Sequence, residues 1–346
     1  MEIAAPLRLR VDRDALTANW QALDRLSGAA ACGAAVKANG YGLGAVLVAR
    51  TLALAGCRDF FVSNWAEAVA LAPLGLTVSV LHGLRAEDVA VARAGIARPV
   101  LGTAEQVARW RESGGGACDV MVDTGMNRLG VSVEAVREGL LDGLAVETLL
   151  SHLACADEDV PMNARQQAAF ASLAGRVVAR RMSLANSAGI ALGADYHFDL
   201  TRPGLALYGG VPRADMAGLL RQVAYPEAQI LQRRRVPAGE TVGYNATWTA
   251  PVDTEVATLN LGYADGYRRA LSGRGAARAA DGVRLPVLGR VSMDMVAIDV
   301  SARPDLAEGD WLAMDYDLAA ASAVSGVSQY ELLTGLGQRF GRQSVE

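Results

Sequence analysis

Lysine is almost absent from this sequence. Among its 346 residues the chain has 33 lysines and arginines, and Lys37 is the single lysine. A genome biased towards arginine codons explains arginine at surface positions, where either residue serves as a solvated cation. Arginine cannot replace a lysine that reacts as an amine, because its guanidinium stays protonated. The survival of Lys37 in the apolar, glycine-bordered segment AAVKANGYGLGA therefore favours a chemical role for its amine, with chance survival as the alternative.

Other features are also missing, and each absence excludes a class of protein. The net charge of −4 comes from 37 acidic and 33 basic residues, so no basic face predicts binding to nucleic acid. No apolar run reaches the roughly 18 residues that span a bilayer, and the first residues lack the apolar core of a signal peptide. The four cysteines are far apart and fit no zinc spacing. We expect a cytoplasmic protein without a metal site that binds neither nucleic acid nor membrane.

Apolar runs alternate with helix-like stretches between residues 12 and 221. Eight such runs occur, at 31–38, 59–64, 78–83, 98–102, 118–125, 146–154, 181–187 and 198–209. Short apolar strands that alternate with helices are typical of a parallel sheet. Eight repeats predict an α/β fold with an N-terminal (β/α)8 TIM-type barrel over 12–221. An open doubly wound sheet is the alternative, although no GxGxxG motif after the first strand indicates a dinucleotide fold.

The pattern changes after residue 221. Short alternating runs separated by turn residues follow, such as VATLNLGYADG and VRLPVLGRVSMDMVAIDV. This pattern predicts a mainly antiparallel β domain over 222–346. We expect residues 1–11 to pack as a strand against this domain, and the segment RGAARAADG (274–282) to be an exposed loop.

Polar residues gather at the predicted carboxyl ends of the barrel strands, where barrel enzymes place their reactive groups. These ends provide an amine, an imidazole, two guanidiniums and a hydroxyl beside glycine-rich backbone: Lys37, Arg128, His152, Asn186, Ser187, Arg202, Gly204 and Leu205. This set suits an aldehyde cofactor with a phosphate tail. The lysine would form an imine, Ser187 and Tyr41 with nearby backbone N–H groups would bind the phosphate, and an arginine would face a ring nitrogen.

Each of these residues also has a purely structural interpretation. His152 in TLLSHLA is typical of a hydrogen-bonded core histidine, and Arg202 before a proline is typical of a buried ion pair. Tyrosines such as Tyr244 and Tyr263 usually pack within a β domain. The tripeptide DTG at 123–125 occurs by chance in many chains. Taken one by one, the residues leave these alternatives open.

The motifs taken together resemble those of bacterial alanine racemases. The segments AAVKANGYGLGA, DTGMNRLG, SHLACADE, LANSAGI, TRPGLALYG, VGYNATW, LGYADG and GRVSMDM occur in the family's order between residues 7 and 340. The resemblance implies a barrel followed by a β domain, pyridoxal 5'-phosphate (PLP) as cofactor, and a head-to-tail homodimer with shared active sites. It implies interconversion of L- and D-alanine, which supplies D-alanine for peptidoglycan. A racemase of serine or another small amino acid and a non-catalytic PLP-binding protein are the alternatives.

The resemblance also implies roles for individual residues. Lys37 corresponds to the PLP-binding lysine and to one catalytic base, and Tyr244 from the other subunit corresponds to the second base. The implied cofactor contacts are Tyr41, His152, Asn186, Ser187, Arg202, Gly204 and Leu205. The implied substrate contacts are Arg128 and Met293, and the residues implied for the substrate access channel are Asp157, Tyr263, Arg269 and Arg290.

Two positions depart from the family pattern. Many relatives have a carbamylated lysine two residues before the aspartate of the DTG motif, where this chain has Met121. A negative charge that would orient Arg128 is therefore missing. Some relatives place a tyrosine near the C-terminus where this chain has Gln338, which leaves the width of the channel and the substrate range open.

We predict that this chain needs no lysine carbamylation, because Met121 occupies the position and the chain has no second lysine. Racemisation at fixed pH should therefore be independent of dissolved carbon dioxide. The measurement is the initial rate in degassed buffer with and without added bicarbonate. A clear stimulation by bicarbonate would contradict the prediction.

Overall fold

The computed structural model describes residues 5–345, which form two compact units. One unit comprises Ala15–Arg221, and the other joins the N-terminal residues up to Asp14 to the chain from Gln222 onward. Residues 1–4 of the strand expected at 1–11 lie outside the described residues. Within the described range, no helix is both long enough and apolar enough to cross a membrane.

Strand β1 (Leu7–Asp12) comes first, and the barrel unit then alternates strands with helices. Its strands are β2 (Ala31–Cys32), β3 (Ala34–Ala35), β4 (Asp59–Val62), β5 (Thr77–Val80), β6 (Arg98–Leu101), β7 (Ala117–Asp123), β8 (Val131–Ser132), β9 (Ala145–Leu150), β10 (Ala179–Ser183) and β11 (Leu200–Thr201). The helices are α1 (Arg13–Ser27), α2 (Lys37–Tyr41), α3 (Ala45–Ala55), α4 (Trp65–Leu71), α5 (Val89–Arg93), α6 (Ala104–Glu112), α7 (Val133–Arg137), α8 (Pro161–Ala171) and α9 (Ser187–Ala191).

The strands of this unit pair in parallel. Their order is β10–β9–β7–β6–β5–β4–β3, with β8 beside β7 and β11 beside β2. The strands read as nearly continuous apolar runs because both faces of such a sheet are covered. In β4, for example, Phe60, Phe61 and Val62 are each at most 2% exposed. The predicted parallel arrangement is confirmed.

Backbone hydrogen bonds on both sides of β11 close the strands into a ring. On one side the N–H of Gly33 donates to the carbonyl of Thr201 at 2.9 Å, and on the other the N–H of Arg202 donates to the carbonyl of Ala185 at 2.8 Å. A Cβ at Gly33 would lie 2.9 Å from the carbonyl oxygen of Asp59, so only glycine fits where the first strand divides into β2 and β3. The TIM-type barrel is therefore confirmed.

The second unit is built mainly of antiparallel strands. Besides β1 it contains β12 (Ala224–Val236), β13 (Thr241–Val242), β14 (Trp248–Thr249), β15 (Thr254–Leu259), β16 (Ala276–Arg278), β17 (Arg284–Leu288), β18 (Val296–Asp299), β19 (Trp311–Met314) and β20 (Gly341–Val345). Two helices, α10 (Leu318–Ser325) and α11 (Gln329–Thr334), precede β20. The long strand β12 pairs antiparallel with β1, β15 and β19, while β1 and β20 are parallel. This confirms the mainly antiparallel β domain.

The exposed loop expected at 274–282 is partly wrong. Ala276–Arg278 forms β16, which pairs with β17 on one side and β19 on the other. Ala276 and Ala277 are fully buried. A stretch of alanine, glycine and arginine has little intrinsic preference for a strand, and the two neighbouring strands override that preference.

Candidate active site at the carboxyl ends of the barrel strands

Four basic side chains follow the carboxyl ends of barrel strands. Lys37 lies two residues after β3, Arg128 five residues after β7, His152 two residues after β9, and Arg202 directly after β11. The charges of Lys37, Arg128 and Arg202 all lower the pKa of His152, and the charge of Arg128 also lowers the pKa of Lys37. The structure therefore brings these four predicted residues together at one end of the barrel.

Lys37 is followed by a rare left-handed turn. The four residues after it all have positive φ: Ala38 (52°), Asn39 (54°), Gly40 (63°) and Tyr41 (53°). A left-handed conformation costs an L-residue roughly 1–2 kcal/mol, and three of these four residues are not glycine. Backbone strain of this kind is found mainly where the surrounding structure holds a functional group in place. The turn fixes where the chain presents the Lys37 amine.

The environment of Lys37 favours its neutral amine. Burial lowers the pKa of Lys37 below its usual value, and the nearby charge of Arg128 lowers it further. The carboxylate of Glu67 acts in the opposite direction on this pKa. A lysine with a depressed pKa is a better nucleophile near neutral pH, because more of it lacks the proton that blocks the nitrogen lone pair.

His152 is held in its neutral form. Burial and the charges of Arg202, Arg128 and Lys37 lower its pKa to about 3. The described residues give its ring no hydrogen-bond partner, whereas the ring of His197 contacts the carbonyls of Ser27 at 3.1 Å and Ile190 at 2.8 Å. His197 therefore fits the description of a satisfied core histidine, and the ring of His152 is left to contact a ligand.

Arg202 is buried without a carboxylate partner among the described residues. It is 7% exposed, and its guanidinium donates to the hydroxyl of Ser183 and the carbonyl of Ser151. Burial lowers its pKa to about 10, and the charge of Asp119 opposes this shift. The purely structural interpretation of Arg202 was a buried ion pair, and among the described residues it forms none. The guanidinium stays protonated near neutral pH, so it donates hydrogen bonds and does not exchange protons.

A cluster of hydroxyl groups lies beside the backbone of Gly204. The hydroxyl of Ser187 accepts the N–H groups of Gly204 at 2.9 Å and Ala206 at 3.2 Å, so its own hydrogen remains to donate. A Cβ at Gly204 would lie 2.2 Å from the hydroxyl of Tyr41, so only glycine allows this approach. Tyr41 is held by stacking on Tyr208, with ring centroids 4.5 Å apart. Hydroxyl donors without a carboxylate among them fit a phosphate group.

The sequence placed two of these residues in the wrong element. Asn186 and Ser187 were expected to end the seventh strand, but β10 ends at Ser183. Asn186 is instead the N-cap of α9, and its side chain accepts the N–H of Gly189 at 2.8 Å. Ser187 is the first residue of that helix, and the buried Leu205 opens a short 3-10 turn, Leu205–Tyr208.

Arg128 lies on a loop shaped by the aspartate of the DTG motif. The carboxylate of Asp123 accepts the N–H groups of Gly125 at 2.8 Å and of Arg128 at 3.1 Å. Within the part of the chain that the structure describes, the exposed Arg128 side chain has no ion-pair partner. Met121 lies two residues before Asp123 on β7 and is 8% exposed. The Met121 side chain is therefore apolar and buried, and it brings no negative charge to Arg128.

The remaining candidates lie mostly in the β unit. Tyr244 is 65% exposed and lines one cavity together with Arg290. Tyr263 is 37% exposed and lies 5.8 Å from the guanidinium of Arg269, and the carbonyl of Met293 accepts the N–H of Ala264 at 3.0 Å. Neither tyrosine is a packed core residue of this unit. The other candidate, Asp157, is exposed on the barrel-unit loop between β9 and α8.

One residue of this region was missed by the sequence reasoning. The carboxylate of Glu67 accepts the N–H of Ala38, directly after Lys37, at 2.7 Å. Asn64 is followed three residues later by Glu67, which is the spacing of a helix capping motif. That spacing was a local signal for the start of α4. No local pattern connects Glu67 with residue 38, because that contact is made only by the folded barrel.

We predict that the His152 ring stays neutral from pH 8 to pH 5 in the ligand-free chain. The measurement is NMR of histidine labelled with ¹⁵N in the ring, with the His152 signal assigned by its loss in a His152→Gln variant. Because the unfolded chain takes up this proton near pH 6.5 and the folded chain does not until about pH 3, the contribution of His152 should lower stability as pH falls below about 6.5. Ring titration near pH 6.5 would contradict the prediction.

Comparison with known proteins agrees with this geometry. Residues 11–212 match the family model for the alanine racemase N-terminal domain, and residues 223–344 match the model for the C-terminal domain. The chain is 43% identical to an alanine racemase of Acidiphilium cryptum, over 96% of this chain and 97% of that protein. It is 43% identical to a catabolic alanine racemase of Agrobacterium fabrum, over 98% of this chain and 92% of that protein.

Solved structures give the same result. The crystal structure of alanine racemase from Bartonella henselae, which contains covalently bound pyridoxal phosphate, superposes with a TM-score of 0.89 at 32% identity. The match covers 99% of this chain and all of that one. The biosynthetic alanine racemase from Pseudomonas aeruginosa superposes with a TM-score of 0.88 at 32% identity, again over 99% and 100% of the two chains. Two family models, close relatives and matching folds show together that this chain belongs to the alanine racemase family.

Proposed function

We propose that this chain is a PLP-dependent racemase that interconverts L- and D-alanine, with Lys37 as the residue that bears the cofactor. The observation that carries the proposal is the position of the only lysine. It lies at a barrel strand end, with a lowered pKa, on a strained turn that leads directly to the hydroxyl of Tyr41 in the phosphate-binding cluster. Family membership supports the same reaction. We further propose that residues 12–221 form the PLP-binding domain and residues 222–346 the second domain.

The described residues fit PLP at each of its polar positions. Ser187, Tyr41 and the backbone near Gly204, preceding Leu205, would bind the phosphate, with Asn186 fixing the helix that carries Ser187. Arg202 would donate to the ring nitrogen, and His152 would lie against the ring. When bound, PLP supplies a conjugated ring that delocalises the electron pair left on Cα once the α-proton is removed.

Arg202 would limit side reactions. Its guanidinium is a hydrogen-bond donor that keeps its proton near neutral pH, so it would leave a ring nitrogen facing it unprotonated. Arg202 would thereby weaken the electron withdrawal that the bound cofactor supplies. We infer that this favours prompt return of the proton to Cα over leakage into transamination.

Racemisation needs a proton removed from one face of Cα and returned to the other, and two bases on opposite faces do this without moving the substrate. Lys37 would serve one face and the partner subunit's Tyr244 the other. The exposed position of Tyr244 in its own unit supports its use by a second copy of the chain. The active form is therefore a homodimer with shared sites. Because a free tyrosine titrates near pH 10, the partner's Tyr244 needs neighbouring cations to act as a base.

Arg128 would bind the substrate carboxylate, together with the backbone of Met293. The side chains of Asp157, Tyr263, Arg269 and Arg290 would line the access channel. We propose a cytoplasmic role in supplying D-alanine for peptidoglycan. Agrobacterium fabrum has a catabolic relative at 43% identity and a biosynthetic one at 39%, so identity alone does not separate the two roles. Assays with a panel of L-amino acids, serine included, decide the substrate range.

We predict that Tyr244→Phe keeps PLP bound and loses proton transfer on one face of Cα. Only the hydroxyl group is removed, and loss of a positioned acid–base group lowers rates by about 10²–10⁴-fold. Exchange of the α-proton for deuterium should then depend strongly on which enantiomer of alanine is supplied, and ¹H NMR in D₂O measures this. Equal loss of exchange for both enantiomers would contradict the two-base assignment.

Mixed dimers test the shared site directly. Lys37→Ala and Tyr244→Phe chains should each be nearly inactive alone. A heterodimer of the two has one site that pairs an intact Lys37 with an intact Tyr244, so mixing should restore racemisation. Subunit exchange is verified by mass spectrometry of the intact dimers. If exchange occurs and activity does not return, each site lies within one chain and the dimer proposal is wrong.

A further inference from the structure

The carboxylate of Glu67 bridges two backbone N–H groups from different parts of the barrel. One oxygen accepts the N–H of Ser63 at 2.7 Å, and the other accepts the N–H of Ala38 at 2.7 Å. Ser63 precedes helix α4, which bears Glu67, whereas Ala38 is the first left-handed residue after Lys37. One side chain therefore connects the start of a helix to the turn that presents the amine.

A neighbouring helix shows what the first of these contacts requires. At the start of α6, Gln106 occupies the position that Glu67 occupies in α4. Its side-chain oxygen accepts the N–H of Gly102 at 2.9 Å, and its backbone N–H donates to the hydroxyl of the capping residue Thr103 at 3.1 Å. The amide nitrogen of the Gln106 side chain donates to the carbonyl of His82 at 3.4 Å. At Gln106 the second partner is a carbonyl oxygen, so a neutral carboxamide satisfies both partners by accepting with its oxygen and donating with its nitrogen. At residue 67 the second contact is an N–H, and only a carboxylate accepts both.

The turn after Lys37 depends on such external contacts. The N–H of Gly40 donates to the carbonyl of Val36 at 2.9 Å, and the side chain of Asn39 accepts the N–H of Ala45 at 2.9 Å. The N–H of Ala38 has Glu67 as its acceptor. These contacts secure a backbone conformation that Ala38 and Asn39 would not adopt by themselves.

The negative charge of Glu67 also acts on the Lys37 amine. Three charged or titratable groups act on or beside the amine: Arg128, His152 and Glu67. Arg128 lowers the pKa of Lys37, Glu67 raises it, and His152 is neutral. Glu67 is therefore the carboxylate that offsets Arg128 at this lysine.

We propose that Glu67 is a positioning residue that holds the left-handed turn after Lys37 and so fixes the direction of its amine towards the cofactor and substrate. The role of Glu67 in the reaction rests on the proposed function, because both concern the same site. The contact itself is a property of the chain, so it is testable without PLP.

The uniqueness of Lys37 makes the test direct. In the full-length protein grown with [ε-¹³C]lysine and freed of PLP, one NMR signal reports one amine, and its chemical shift against pH gives the pKa of Lys37. Glu67→Gln removes the negative charge and places an amide N–H against one of the two backbone donors. We expect the pKa of Lys37 to fall in this variant, because Glu67 raises it in the parent chain.

The matched control is Gln106→Ala, which removes the corresponding helix-start contact elsewhere in the barrel. It should lower thermal stability and leave the pKa of Lys37 unchanged. Glu67→Asp separates charge from reach, because it keeps the carboxylate and shortens the side chain. In the protein freed of PLP, Glu67→Asp should keep the Lys37 pKa closer to the parent value than Glu67→Gln does. With PLP restored, the kcat of Glu67→Asp should fall by as much as about 10²-fold through misplacement of the amine.

Three results would overturn the proposal: an unchanged Lys37 pKa in Glu67→Gln, an equal fall in Glu67→Gln and Gln106→Ala, or full kcat in Glu67→Asp. The first two comparisons need no cofactor and no racemisation. If the parent chain failed to attach PLP at Lys37, the proposed function would fail while the NMR comparison still decided whether the Glu67 carboxylate acts on the Lys37 amine.

Discussion

A lysine amine attacks an aldehyde only in its neutral form, and the candidate site depends on lowering the pKa of Lys37 while holding its amine in place. Burial and the charge of Arg128 favour the neutral amine. The four positive-φ residues after it set the direction of the chain, and Tyr41 at the end of that turn contacts Gly204 in the hydroxyl cluster. One strained turn thus links the reacting amine to the place where a phosphate fits, which explains why both features occur in a single short segment.

The second constraint is an excess of positive charge at the mouth of the barrel. Lys37, Arg128 and Arg202 act together on His152, whose pKa falls to about 3 as a result of burial and of these charges. Arg202 is buried, and its hydrogen-bond partners among the described residues, Ser183 and Ser151, are neutral. A cleft lined by one sign of charge attracts ligands of the opposite sign. The phosphate of PLP and the carboxylate of an amino acid are the two anions that our proposal places there, and they would supply the missing negative charge.

Much of this architecture was predictable because it depends on local periodicity. The eight apolar runs became the barrel strands, since a parallel strand covered on both faces must be apolar throughout. The strand ends were less predictable. Asn186 and Ser187 belong to the start of α9, because the Asn186 side chain caps that helix by accepting the N–H of Gly189. The buried strand at Ala276–Arg278 was missed because its alanines and arginine take their conformation from β17 and β19. Glu67 was missed because a contact between residues 38 and 67 exists only in the folded chain.

One chemical experiment decides whether Lys37 is the reacting amine. The purified protein, supplied with PLP, is treated with borohydride, which converts a reversible lysine–PLP linkage into a stable one. The protein is then digested and the modified peptide is identified by mass spectrometry. If Lys37 bears the cofactor, about one label per chain is expected, on the peptide that contains Lys37. Absence of any label, or a label on a peptide that lacks Lys37, would contradict it.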